Sequence, residues 1–359
     1  MTEFRSKLED LMVAEELVFE STPGFGRWRK FFPEDAVRHP AKANLNLIDF
    51  LIDKYSREGD LILDPMSGTG STCVLAALKG RDAICIDIEP LFYQWMEKAR
   101  EIVEKTPMLG RKGKIINILG DARRLSELLK QIDIIITSPP YADIKRGSSD
   151  LDVVERYAER WERYAREKKW NTWSLNFHTE GRLRSAEALI RGYSDNPDNI
   201  GNLPLGDIDT IITSPPYAET ISHKSGGPVK KIVNVDISTI TARTYSENEN
   251  NIGNLPLGDI SRSEDRPTYF SEMFKVYNEM YKVLKPNGYA IVIIKPFIRN
   301  KQVLDLPYYT WLMMEKVGFK LEKIYKLRLG RKSFWRVLYF KKYPDVPQIN
   351  HEYIIVGKK

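Results

Sequence analysis

Apolar positions along this chain recur in two rhythms. Short β-branched runs at Leu61–Leu63, Ala83–Ile88, Lys114–Leu119 and Ile132–Thr137 have the length and composition of buried strands. Between them, residues 71–79, 91–105 and 125–130 carry apolar side chains at helical spacing. A further helix is predicted around Leu47, Ile48, Leu51 and Ile52. Residues 3–20 show the same helical rhythm, with Leu8, Leu11, Met12 and Leu17 on one face. Regular strand–helix alternation predicts an α/β fold built on a parallel sheet with right-handed crossovers.

The alternation breaks at Ala142 and resumes near Pro267. Residues 268–284 and 306–317 read as helices and Tyr289–Lys295 as a strand. Phe319–Leu329, Phe334–Tyr343 and His351–Val356 then read as strands, a pattern that suits a closing antiparallel hairpin. This divides the chain into an N-terminal segment (1–45), two parts of one domain (46–141 and 267–359) and an insertion (142–266). The insertion contains a repeat. Tyr193–Ile208 and Tyr245–Ile260 share Asn-Ile-Gly-Asn-Leu-Pro-Leu-Gly-Asp-Ile. Two copies are too few for a solenoid, and a local tandem duplication is the simplest account.

Composition narrows the picture. With 42% hydrophobic residues in 359 the chain can bury a core. No apolar run approaches the roughly 20 residues of a membrane span, and the N-terminus lacks a signal-peptide core, so a cytoplasmic protein without membrane contact is expected. Two cysteines, Cys73 and Cys85, and four histidines make neither a zinc site nor a disulfide framework, and no metal is expected. The cysteines read as small buried hydrophobes. A net charge of +6 leans towards a polyanionic partner. Abundant Lys, Glu and Ile resemble thermophile composition.

Candidate chemistry gathers at strand ends. Asp64-Pro-Met-Ser-Gly-Thr-Gly follows the first run and opens a helix, with Gly68 and Gly70 free to turn tightly around a ligand. It lacks Gly-Lys-Ser/Thr, which excludes a P-loop, and full Gly-x-Gly-x-x-Gly spacing, which counts against NAD. Asp87 ends the second run, where a carboxylate can accept ribose hydroxyls. Asp121 ends the third, where it can accept from an adenine amine or cap a helix. Thr-Ser-Pro-Pro-Tyr occurs twice, at Thr137–Tyr141 and Thr213–Tyr217, each time after an Asp-led apolar run. Prolines stop the strand, leaving serine and tyrosine at its carboxyl end, where α/β sheets bind ligands.

This pair of motifs resembles the amino-methyltransferases that use S-adenosyl-L-methionine on exocyclic amines of nucleic-acid bases, over roughly residues 39–141 and 267–358. The resemblance implies a Rossmann-like methyltransferase fold: a seven-stranded, mostly parallel sheet with an antiparallel C-terminal hairpin and a large insertion after the fourth strand. It implies that His39, Lys42, Asp64, Met66, Ser67, Gly68, Thr69 and Gly70 hold the methionine end of the cofactor. Asp87 matches the ribose ligand and Asp121 the adenine contact. Ser at the head of Ser138-Pro139-Pro140-Tyr141 is similar to the cytosine-N4 type, where adenine-N6 members more often have Asp or Asn.

Ser138 Oγ and the Pro139 carbonyl would accept the amine hydrogens, Pro140 would fix the turn, and Tyr141 would stack on a base that is flipped or unpaired. Of the two copies the first is expected to be catalytic, because Leu125–Lys130 gives it the helix that a parallel crossover needs, while Gly206-Asp207 runs almost directly into the second. The second copy is then a relic of the duplication or, through Tyr217, part of a substrate platform. Arg156, Arg160 and Trp161 in the insertion, with Arg331 and Trp335 near the C-terminus, are candidate nucleic-acid contacts, although aromatic stripes with neighbouring glutamates also pack as ordinary helices. The resemblance implies methyl transfer to cytosine N4, with DNA favoured by the family and structured RNA, including a ribosomal subunit, as the alternative; adenine N6 and a protein glutamine amide are further alternatives.

Overall fold

The computed structural model describes residues 3–38, 43–131, 208–216, 250–259, 266–299, 301–329 and 340–359. The chain divides into two compact units, Met1–Leu129 with Gly206–Lys359, and Lys130–Leu205. The first holds all the strands discussed below. Among the described residues no helix is long and apolar enough to cross a membrane.

The strands in chain order are β1 (Glu15–Leu17), β2 (Leu61–Asp64), β3 (Asp82–Asp87), β4 (Ile115–Leu119), β5 (Ile208–Thr213), β6 (Leu284–Ile294), β7 (Phe297–Arg299), β8 (Gln302–Leu304), β9 (Lys320–Arg328) and β10 (His351–Lys358). The helices are α1 (Glu34–Arg38), α2 (Leu45–Tyr55), α3 (Ser71–Leu78), α4 (Pro90–Lys105), α5 (Leu125–Gln131), α6 (Tyr269–Val283) and α7 (Leu306–Val317). One sheet runs β1-β9-β10-β6-β5-β2-β3-β4. From β6 to β4 every pair is parallel, and β10 runs antiparallel to both β6 and β9. This is the Rossmann-like sheet with its antiparallel C-terminal pair, extended at one edge by β1.

Burial explains the layers. All four residues of β2 and all six of β3 are buried, as strands covered on both faces must be. Alternate residues Ile291 and Ile293 of β6 and Ile354 and Val356 of β10 join one core with Leu47, Ile48 and Leu51 of α2 and Val74 of α3. The intervening Val292 and Ile355 are equally buried but lie outside that core. They face the layer of α6 and α7, which pack against each other.

Four expectations are corrected. Residues 3–20 are not one helix: Ser6 caps a single 3-10 turn, Lys7–Asp10, and Glu15–Leu17 then pairs with β9. The carboxylate of Asp305 accepts from Ser6 Oγ at 2.6 Å and Lys7 N at 2.7 Å, so distant bonds override the local apolar rhythm. Phe340–Lys342, predicted as strand, are helical. The ladder partner of β9 is β10, which satisfies the edge the Phe334–Tyr343 run was expected to fill. Cys73 and Cys85 are buried as expected but bonded to each other, because packing of α3 on β3 brings their Cα atoms to 6.2 Å, within disulfide reach.

The fourth correction bears on function. The position between β2 and β6 is filled by Ile208–Thr213, the run before the second Thr-Ser-Pro-Pro-Tyr, rather than by Ile132–Thr137. The first copy lies outside the described residues. A local reason is visible at the residue that distinguishes the two runs. Thr210 stands where the first copy has Ile134, and its hydroxyl donates to the Tyr55 carbonyl at 2.7 Å. Isoleucine has no group to make that bond. Asp209, common to both runs as Asp133, accepts from Leu61 N at 2.8 Å and pairs with Lys285.

Candidate active site

Two successive strands end in carboxylates, and a third carboxylate follows the next strand, all on one rim of the sheet. β2 ends at Asp64, whose side chain accepts from Thr72 Oγ1 at 2.7 Å and from Met66 N at 3.2 Å. Those bonds pin the following turn to the first turn of α3. Ser67 N donates to the Ile86 carbonyl of β3 at 2.9 Å, holding the turn against the next strand. Gly68 and Gly70 have φ of +52° and +76°, where a side chain is strained. A Cβ on Gly70 would also stand 3.0 Å from Met96 Cγ.

Asp87, at the end of β3, closes the loop from the other side. Its carboxylate accepts from Gly68 N at 2.7 Å and from Glu89 N at 2.9 Å. Burial pushes the carboxyl of Asp64 up to about 6 and that of Asp87 up to about 7, against the acceptor bonds that favour ionisation. The hydroxyl of Thr213 faces Asp64 closely enough to lower its pKa, yet it makes no hydrogen bond of normal geometry and is buried. Asp121 follows β4 and caps a 3-10 turn through Arg123 N at 2.9 Å. Arg123 grips the same carboxylate and reaches Glu272 of α6 at 2.7 Å and the Asn250 carbonyl at 3.1 Å. The capping role and the pocket position of Asp121 thus coexist.

A cleft of about 340 Å³ opens above these ends. Asp64, Met66, Ser67, Gly68, Thr69, Asp87 and Asp121 line it, as the motif reading expects, while Gly70 lies behind it as the cap of α3. His39 and Lys42 lie outside the described residues, as do Ser138, Pro139, Pro140 and Tyr141, and Tyr217, Arg156, Arg160, Trp161, Arg331 and Trp335.

The second copy supplies Thr213, Ser214, Pro215 and Pro216 to the cleft wall. Asn250, Asn251 and Ile252, from the second copy of the duplicated stretch, form another part. There Asn251 Nδ2 donates to Glu89 Oε1 at 2.7 Å. Lys295 after β6 and Glu352 on β10 complete the far end. Sequence reading missed these. The duplication itself was the available signal for Asn250–Ile252, whereas nothing local marks Lys295 or Glu352.

The chemistry of this lining fits a nucleoside that carries positive charge. Buried carboxylates oppose a cation and accept hydroxyl hydrogens, and the glycine turn lets backbone approach closely. The sheet order and site together define the fold class of S-adenosyl-L-methionine-dependent methyltransferases.

Residues 20–98 match the family model described as DNA methylase, of the N6/N4 type. The chain is 34% identical over 92 residues to the type II methyltransferase M2.MboI of Moraxella bovis, covering 26% of this chain and 32% of that protein. It is 28% identical over 134 residues to tRNA (guanine(10)-N2)-dimethyltransferase of Methanocaldococcus jannaschii, covering 35% and 34%. The match thus spans about a third of the length of these relatives. A solved SAM-dependent methyltransferase from Methanosarcina mazei aligns over 86% of this chain and 96% of its own, at 12% identity and a TM-score of 0.39. Residues 20–98, which include Asp64–Gly70 and Asp87, are thus similar to the N6/N4 DNA methylases, and that similarity with this fold implies S-adenosyl-L-methionine as cofactor.

Proposed function

We propose that the protein transfers a methyl group to the exocyclic N4 amine of cytosine in nucleic acid, with the second Thr-Ser-Pro-Pro copy as its catalytic segment. The observation that carries this reading is the common cleft: Thr213–Pro216 lines the same cavity as Asp64, Ser67–Thr69, Asp87 and Asp121. When bound there, S-adenosyl-L-methionine supplies an electrophilic methyl group on a sulfonium. Asp87, Asp121 and the Gly68 turn hold its nucleoside part, and Asp64 and Thr69 lie along the remainder.

The work of the other residues follows from the acceptor. An exocyclic amine conjugated with its ring is a poor nucleophile. Ser214 Oγ and the Pro215 carbonyl accept its two hydrogens and favour a pyramidal nitrogen, whose lone pair is then free to attack. Ser214 is exposed to the cleft and Pro215 is buried, so one acceptor can meet an incoming base while the other is fixed. Tyr217, next in the chain, supplies the stacking face that the motif reading gave to Tyr141. A base must leave its helix to reach this depth. The serine supports cytosine N4 over adenine N6.

DNA is the favoured polymer, supported by the family model, whose description is DNA methylase. Structured RNA is the second reading, favoured by the relative whose name places its activity on tRNA. The net charge of +6 suits either. Transfer of a labelled methyl group to DNA, total RNA and ribosomal subunits, followed by nucleoside analysis, tests the proposal. N4-methylcytosine in one polymer is expected, and label confined to adenine, guanine or protein refutes it.

A further inference from the structure

Glu352 is a carboxyl at the acceptor end of the cleft that the mechanism above leaves unused. β10 and β6 lie on the side of β5 away from β3 and β4. Glu352 and Lys295 therefore line the cleft beyond Thr213–Pro216 rather than at the Asp87 end. The adjacent pair Tyr353–Ile294 fixes the register that brings them together, and Ile293 forms the wall beside them. No hydrogen bond to the Glu352 carboxyl is made by any described residue. Glu352 is half-buried in the cavity wall, and a carboxyl placed there without a described partner is available to meet a ligand in the cleft.

Resting on the proposed function, we propose that Glu352 reads the target base by donating a hydrogen bond to the ring nitrogen beside the exocyclic amine, N3 of cytosine or N1 of adenine. On the Watson–Crick edge the ring nitrogen beside the amine is an acceptor in these bases, whereas guanine presents N1–H there. A neutral carboxyl can donate to the former, and an ionised one suits only the latter.

The surroundings of Glu352 favour the neutral form. Burial raises its pKa, and Lys295 is the charge that opposes this. On β9 its cross-strand neighbour is Leu327. The flanking cations Lys326 and Arg328 are engaged by Glu9 at 3.3 Å and Glu16 at 2.7 Å. On β10 itself, His351 pairs with Glu3 and Glu16.

The test compares Glu352→Ala and Glu352→Gln with the wild type in methyl transfer to the polymer that the wild type modifies. The alanine variant is expected to lose roughly 10- to 100-fold in kcat/KM for nucleic acid, the worth of one base-edge contact. Cofactor Kd should be unchanged. Glutamine, which keeps a donor, should restore most of the activity. The wild-type rate should fall as pH rises through the Glu352 ionisation, and the glutamine variant should lack that limb.

Alanine with wild-type kcat/KM, glutamine as poor as alanine, identical pH profiles, or loss of cofactor binding in parallel would each overturn the assignment. A wild type that modifies no nucleic acid fails at the earlier step, which separates failure of the parent reading, and this assignment falls with it.

Discussion

At one end of the cleft, Asp64, Asp87 and Asp121 follow three strands that are consecutive in the chain and adjacent in the sheet. At the other, Ser214, Lys295 and Glu352 come from β5, β6 and β10, far apart in the chain. The first end is held by short-range devices: a glycine turn, backbone bonds to Asp64 and Asp87, and a disulfide twelve residues apart between α3 and β3. The second depends on which copy of a duplicated run enters the sheet. A cofactor common to many enzymes can be served by a local, repeated βα grammar. A particular acceptor is met by surfaces that only the tertiary fold assembles.

The sharpest way to break this comparison is at the two copies. Ser214→Ala is expected to lower kcat for methyl transfer roughly 10²-fold, and Ser138→Ala less than about 3-fold, on the scale of a preorganised polar contact to the reacting group. Tyr217→Ala should raise KM for nucleic acid roughly 10-fold through lost stacking, where Tyr141→Ala does little. The opposite pattern in steady-state kinetics would return catalysis to the first copy. Equal losses would mean that both copies serve.

Stability offers the next test. Replacing Cys73 and Cys85 together by alanine should cost about 3 kcal/mol in urea unfolding, as a loop of this size predicts. The loss should be accompanied by weaker cofactor binding, since the bridge joins α3 and β3, which frame the glycine turn. An unaltered midpoint would show that the cofactor end needs no staple.

A smaller effect is expected from Asp87→Asn. It should weaken cofactor binding by roughly 10-fold in calorimetry, the range of a hydrogen bond to a charged group. The KM for nucleic acid should stay unchanged. A change in both would mean that the two ends are not separable.

What the sequence made legible follows the same division. Asp64, Gly68, Asp87 and Asp121 could be read because each sits at a fixed offset from its own strand, and helix-strand alternation fixes that offset. The choice of fourth strand could not be read that way. Ile132–Thr137 and Ile208–Thr213 are nearly identical, and proximity to α5 favoured the wrong one. The discriminating bond, Thr210 to the Tyr55 carbonyl, joins residues brought together by the fold. Glu352 was invisible for a related reason, since in sequence it is one polar residue at the start of an ordinary strand. The helix expected over residues 3–20 failed because β9 offers Glu15–Leu17 a ladder that periodicity does not register.

The two ends should also differ in their response to pH, and this effect is the most modest. In the cofactor-free protein, burial lifts the Asp87 carboxyl from 3.8 to about 7 and that of Asp64 to about 6. Unfolding returns both to the ordinary range, so between about pH 4 and 7 the folded state binds more protons than the unfolded one. Stability from these groups is therefore greatest in acid and declines as pH rises through that window. Ribose hydroxyls donate best to an ionised carboxylate, so cofactor binding should strengthen over the same range. The cofactor-induced rise in Tm should accordingly grow from pH 5 to pH 8 in the wild type. In Asp87→Asn that growth should shrink, and in Glu352→Gln it should persist. A shift independent of pH in the wild type would mean that Asp87 does not meet the cofactor as an anion, and the assignment of the ribose to this end would fail.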